Sequence, residues 1–275
     1  MTSHGFAGRT AIAGIGATEF SKSSGRSELR LALEACIAAL DDAGVAPQEV
    51  NGLSTFTMET NPENDLMRSL GIRELTHFSR IHFGGGAPCG TVQYAAMAVA
   101  EGVADYVLCY RAFNERSGRR FGAGVQDRAA GATAEEAQYA WTSPYGLLTP
   151  ASWIAMFATR LMHEYGVTSE DFGRVAVTDR AHAATNPAAH FYGKPITLED
   201  HQSSRWIVEP LHLLDCCQET DGGQLGEAYL HGMNGIAEGV RQVRGTSVNQ
   251  VPDVGHVLVT AGTGVPTSAL ILGKE

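Results

Sequence analysis

GGGAPCGTVQYAAMAVAEGVADYVLCY, residues 84–110, decides the fold. Three glycines lead into a segment from about Gly90 to Glu101 built of Ala, Val, Met and Tyr with almost no charge. A helix that is apolar on every side belongs in the centre of a protein. Tyr106–Tyr110 follows as a short apolar strand, so a buried helix sits between strands and is entered through glycines. That is α/β architecture, and the N-terminus of the helix is expected to open onto a site.

Working outward, Thr10–Gly14 reads as a short buried strand that ends in the glycine turn Gly14-Ile15-Gly16. Ser27 caps a helix in which Leu29, Leu33, Cys36, Ile37 and Leu40 share one face, and Gly44 stops it. Asn51–Thr57 reads as a second strand, followed by an irregular stretch. Residues 114–141 are polar, rich in Gly and Ala and without periodicity, as an insertion would be. Two amphipathic helices are expected next. Pro150–Tyr165 carries Trp153, Met156, Phe157 and Leu161 on one face and stops at Gly166, and Thr168–Ala184 opens with Thr168 and Asp171 in capping-box spacing. A helix from about Leu230 to Val243, then strands Val257–Thr260 and Ser268–Leu272 around a glycine turn, close the chain.

The 275 residues are 44% apolar, enough for a sizeable core, and the 32 glycines gather at segment ends as tight α/β turns require. A net charge of −10 with no basic run beyond Arg119-Arg120 argues against nucleic acid as a partner. The N-terminus lacks a basic region followed by an apolar core, and no apolar run reaches the ~20 residues of a membrane span; a cytoplasmic protein is expected. Cys36, Cys89, Cys109, Cys216 and Cys217 are odd in number and lack repeated CxxC spacing, which points to free thiols and to no metal site.

Several stretches occur in an order that resembles the thiolase superfamily, above all its sterol-carrier and lipid-transfer-protein branch. They are Ile12-Ala-Gly-Ile-Gly16 before a helix, EGVADYVL (101–108), YGVTSED (165–171), Asn186-Pro187, Glu209-Pro-Leu211 leading to Asp221-Gly-Gly223, GGQLGEAYLHG (222–232) and the terminal glycine turn. The resemblance implies a thiolase-like α/β fold with mixed sheets and buried helices in α/β/α/β/α layers. Thiolases of this branch place a nucleophilic cysteine just before the buried helix, whose N-terminus lowers the thiol pKa. Aligning back from Gly102-Val-Ala-Asp105 puts Gly85 there. Cys89 falls four residues later, where the plain reading is a small packing thiol.

Other thiolase groups are also replaced. Tyr229 stands where a Gly-His-Pro histidine would be, and Thr260-Ala-Gly-Thr-Gly264 stands where a second cysteine would be. Glycine for the nucleophile and tyrosine for the histidine resemble the lipid-transfer-protein aldolases of bacterial steroid side-chain breakdown. What that resemblance implies is a CoA-thioester carbon–carbon lyase that cleaves a β-hydroxyacyl-CoA to a 17-keto steroid and propionyl-CoA, with Tyr229 catalytic. The substrate is then expected to meet Gly85, Gly86, Cys89, His231, Gly262 and Gly264, with Glu227 and His231 supporting Tyr229. No cofactor is implied beyond the CoA of the substrate. The resemblance further implies a homodimer and an OB-fold partner subunit with a zinc ribbon. A non-catalytic CoA-ester-binding or scaffold subunit and an acyl-CoA thiolase or acyltransferase are the alternatives.

Gly14-Ile15-Gly16 after a strand offers a dinucleotide loop, but Glu19 occupies the third glycine position. His212, Asp215, Cys216 and Cys217 invite a metal reading, which adjacent cysteines and leucine-rich surroundings disfavour. His182 and His190 flank Asn186-Pro187 as packing or surface residues. The chain divides into an N-terminal half (1–113), a loop region with helices (114–206) and a remnant of a C-terminal half (207–275). Only about 50 residues follow Asp221-Gly-Gly223, too few for crossover units of about 30 residues each, so a block of roughly a hundred residues is expected to be missing after Gly223.

Overall fold

The computed structural model describes residues 5–274 except 6, 57–58, 83, 119–140, 218–231 and 263–265. They fall into two compact units, residues 1–119 with 219–275 and residues 120–218.

In the first unit, helix α1 (Glu28–Ala43) starts where Ser27 Oγ accepts the Arg30 amide at 3.2 Å and ends on Gly44 in the left-handed conformation, φ 67°. Strand β1 (Gly52–Phe56), helix α2 (Glu63–Leu70), strand β2 (His77–Ile81), helix α3 (Pro88–Ala100) and strand β3 (Val107–Cys109) follow. The strands are all parallel in the order β2-β1-β3. Every residue of the central strand β1 is buried. Leu31, Cys36 and Leu40 of α1 pack with Leu66 and Leu70 of α2 and with Leu53 into one core. The irregular stretch expected between the first strands in fact holds α2 and β2. In α2 only Leu66 and Leu70, four apart, are buried. β2, HFSRI, is an edge strand and tolerates polar residues.

Thr10–Gly14 forms no ladder, correcting the expected strand. Side chains hold it and the residue after it: Arg244 donates to Ala13 O at 2.6 Å, and the next residue, Ile15, donates its N–H to Asp42 at 2.9 Å. A Cβ on Gly14 or Gly16 would collide with the backbone of α1 at Ala39 or Ala35, so these glycines serve close helix approach rather than phosphate binding. Ile37 is exposed rather than in the core of α1. The described surroundings of α3 bury one side of it, through Cys89, Thr91, Ala95 and Ala98, while Tyr94 is 53% and Met97 45% exposed.

Helix α7 (Met233–Arg244) precedes strands β6 (His256–Gly262) and β7 (Pro266–Gly273), which pair antiparallel. Ile236 of α7, Val259 and Ala261 of β6 and Cys89 of α3 form a second core, which Ile12 and Leu270 join. On the other face of the hairpin, Leu258 and Ile271 stand opposite each other at 64% and 72% exposure.

The second unit contains α4 (Pro150–Tyr165), α5 (Ser169–Thr185), α6 (Leu198–Ser203) and the hairpin β4 (Trp206–Val208) with β5 (Leu211–His212). Thr149 caps α4, and Thr168 with Asp171 forms the capping box of α5. The buried face of α4 is the small one. Ala155 and Ala158 pack against Leu211, whereas Met156, Phe157 and Leu161, expected inside, are exposed. Residues 207–217, grouped above with the C-terminal remnant, lie in this unit.

Candidate active site

In a parallel α/β sheet, ligands bind beyond the carboxyl ends of the strands. Gly84–Gly86 forms a single 3₁₀ turn at the carboxyl end of β2, and Pro88, which has no N–H to lose, opens α3 directly after it. Strand β7 backs the turn. Ser268 Oγ donates to the Gly86 carbonyl at 2.6 Å, and a Cβ added to Gly86 would stand 2.7 Å from Thr267 Cβ and Oγ1. Gly232 has φ +90° and leaves room for only a hydrogen, because a Cβ there would lie 2.7 Å from Pro88 Cγ. The chain therefore enters α7 with Gly232 against Pro88, at the first turn of α3. Gly262 ends β6 and is exposed. Tyr229, Glu227, His231 and Gly264 lie outside the described residues.

Cys89 is fully buried, with Sγ 3.6 Å from the Val259 carbonyl oxygen. Burial pushes its thiol pKa up, and the nearby Ser268 side chain and Leu270 backbone offset this only in part. That is the reverse of what a nucleophile at a helix N-terminus needs. Among the described residues Cys89 packs into the core with Ile236, Val259 and Ala261. Burial likewise pushes the Cys36 and Cys109 thiols up to about 12.

A charged cluster that sequence reasoning missed occupies the carboxyl ends of β1 and β3. Glu59, 3% exposed, accepts the backbone amides of Asn61 (2.9 Å) and Ala112 (2.8 Å), and Arg111, 5% exposed, donates to Phe56 O at 2.6 Å. Desolvation raises the Glu59 pKa, against those amides and the charge of Arg111. The Arg111 guanidinium lies 4.5 Å from the centre of the Phe56 ring, and Arg80 donates to Glu63 and to the Asn61 carbonyl. The only sequence signal was a charged residue directly after the apolar run 106–110. A concavity of about 790 Å³, lined by Gln48, Asn51, Arg73, Asp105 and Tyr106, is an open polar groove at the amino ends of the same strands, away from the glycine turn.

Two of the residues considered as metal ligands, His212 and Asp215, are engaged in a hydrogen-bond network. Asp215 takes His201 Nε2 at 2.6 Å and the His212 amide at 2.7 Å, and His212 Nδ1 donates to Ser204 O at 2.7 Å beneath the Trp206 ring. This network ties α6 to the hairpin.

No protein-family model matches the chain. It is 49% identical to a steroid side-chain-cleaving aldolase of Thermomonospora curvata over 385 aligned positions covering 98% of both chains. With a 17-hydroxy-3-oxo-4-pregnene-20-carboxyl-CoA lyase of Mycobacterium tuberculosis it shares 48% identity, over 97% of this chain and 99% of that one. The solved Ltp2-ChsH2(DUF35) aldolase superposes with a TM-score of 0.87 at 47% identity, over 96% of this chain and 97% of that one. A monomeric SCP2-thiolase-like protein of Mycobacterium smegmatis, 21% identical with a TM-score of 0.55 over 77% of this chain and 43% of that one, shares the fold. Because 385 positions are aligned against 275 residues, at least the difference, 110 positions, has no counterpart in this chain. That is the size of the block expected from the repeat arithmetic. By fold and by near-full-length identity, the chain belongs to the thiolase-fold family of steroid side-chain-cleaving aldolases.

Proposed function

We propose that this chain cleaves the Cα–Cβ bond of a β-hydroxyacyl-CoA in the retro-aldol sense, acting on a steroid whose CoA-activated side chain bears a hydroxyl β to the thioester. The observation that carries this reading is the 49% identity, over 98% of both chains, to a side-chain-cleaving aldolase. A base removes the hydroxyl proton, the oxygen lone pair forms the ketone, and the Cα–Cβ electron pair moves into the thioester as an enolate. Protonation at Cα then releases propionyl-CoA and a 17-keto steroid. No acyl-enzyme is required, which suits a buried, protonated Cys89. Tyr229 is assigned the acid/base role, and the backbone of Gly85 and Gly86, free of side chains, is assigned to the thioester oxygen, where N–H donors stabilise developing charge. His231, Gly262 and Gly264 complete the substrate contacts. The only cofactor chemistry is the CoA of the substrate.

A cytoplasmic homodimer joined by an OB-fold, zinc-ribbon subunit completes the reading, and the pairing named in the Ltp2-ChsH2(DUF35) aldolase supports such a partner. Among the described residues no helix is long and apolar enough to cross a membrane. A second reading, a non-catalytic CoA-ester-binding subunit, is favoured by the 110 or more positions without counterpart. Tyr229→Phe separates the two. The retro-aldol reading expects kcat to fall by about 10²-fold or more with substrate binding nearly unchanged, and unchanged turnover removes Tyr229 from the mechanism.

A further inference from the structure

β7 is a core strand with one polar residue where an apolar one is expected. Ser268 shares its face with Leu270 and Leu272, two and four positions on, and both of these pack into the core around Cys89. The Ser268 hydroxyl is spent on the glycine turn, 182 residues away in sequence, and donates to the Gly86 carbonyl at 2.6 Å. The other end of the same peptide unit is also held, since Ala87 N–H closes back onto Gly84 O at 3.3 Å. A trans peptide keeps C=O and N–H antiparallel, so fixing both ends fixes the plane. Three consecutive glycines have no side chains to resist rotation of that plane. The orientation of the Gly86 peptide is therefore set jointly by the turn's own Ala87–Gly84 hydrogen bond and by β7, through one hydroxyl and through the wall that Thr267 presents to Gly86.

We propose that Ser268 is a positioning residue for the reaction: by holding the Gly86 carbonyl to β7, it keeps a partial negative charge out of the space where the thioester enolate forms. This rests on the retro-aldol reading above. A carbonyl swung toward the enolate repels the charge that the turn has to stabilise, and it does so in the transition state more than in the bound substrate. Ser268 is assigned this role through the Gly86 carbonyl, which its hydroxyl holds at 2.6 Å.

The test compares wild type, Ser268→Ala and Ser268→Thr, each supplied with the partner subunit that wild type requires. Three quantities are read: kcat, calorimetric binding of a non-cleavable thioether analogue of the acyl-CoA, and amide hydrogen exchange across residues 84–89. Ser268→Ala should lower kcat roughly tenfold or more while analogue affinity stays within about threefold. Exchange at Gly85, Gly86 and Ala87 should rise while the core of β1 is unchanged. Ser268→Thr, which keeps the hydroxyl, should restore both kcat and exchange. A Ser268→Ala enzyme with wild-type kcat, or a loss that Ser268→Thr does not repair, overturns the proposal. If wild type itself cleaves nothing, the retro-aldol reading fails on its own. Exchange then still decides whether Ser268 holds the turn, and equal protection in all three proteins refutes that.

Discussion

Gly86→Ala probes a close contact at the candidate site. Gly86 does not have a positive φ, so alanine meets no backbone strain there. The whole cost is steric: the new methyl would stand 2.7 Å from Thr267 Cβ and Oγ1 and 3.1 Å from Thr267 Cγ2. A Cβ is fixed to the backbone and cannot swing away, so either the turn or β7 has to shift by most of an ångström. Overpacking of this kind costs about 1–3 kcal/mol, and any shift also stretches the 2.6 Å Ser268–Gly86 hydrogen bond. Urea unfolding of Gly86→Ala should show that loss, together with a drop in turnover. Adding Thr267→Gly removes the clashing atoms, so the double mutant should recover part of the loss, giving a favourable coupling of about 1 kcal/mol or more. Stability of Gly86→Ala within about 0.5 kcal/mol of wild type, with no coupling to Thr267→Gly, would refute the packing of β7 against the turn.

Three further outcomes follow from the same geometry. Mass spectrometry of the chain quenched during turnover should find no acyl group on Cys89, whose buried thiol is held protonated; an adduct there would restore a thiolase-like route. Glu59 binds its proton more tightly folded than unfolded, so its contribution is largest below the ordinary glutamate value of 4.5 and is lost as pH rises through the raised folded value. Stability measured across that window should fall with pH more steeply in wild type than in Glu59→Gln, and parallel curves would remove Glu59 as the source. Light scattering on the purified chain should show a dimer, a complex or aggregation, because Leu258, Ile271, Tyr94 and Met97 leave apolar area uncovered at about 25 cal/mol per Å². A cooperatively unfolding monomer contradicts that expectation.

What was legible in the sequence was local chemistry. Ser27 with Gly44, and Thr168 with Asp171, announced helix ends that the structure places within a residue of the expected positions. The stretches Asn51–Thr57 and Tyr106–Tyr110 announced strands, which the structure places at 52–56, buried, and 107–109, half-buried. What required tertiary partners was not legible. Thr10–Gly14 has the composition of a strand, but the Arg244 side chain binds its backbone at Ala13 and Asp42 binds the next residue, Ile15, and no local signal reports that. Periodicity found an apolar face on α4 yet chose the large side chains, whereas close approach to Leu211 selected Ala155 and Ala158. At the site, Gly85 and Gly86 were found through family resemblance. Glu59, Arg111 and Ser268 were not, because their roles arise only where distant strand ends meet.

The central claim is tested most directly by offering the chain, with and without candidate partner subunits, a steroid β-hydroxyacyl-CoA and no free CoA. A thiolytic route consumes free CoA as co-substrate, whereas retro-aldol cleavage needs none. Chromatography with mass detection should find 17-keto steroid and propionyl-CoA in equal amounts, formed without added CoA and unaffected by alkylation of exposed thiols. Products that appear only when CoA is supplied, or no cleavage under any pairing, would contradict the account.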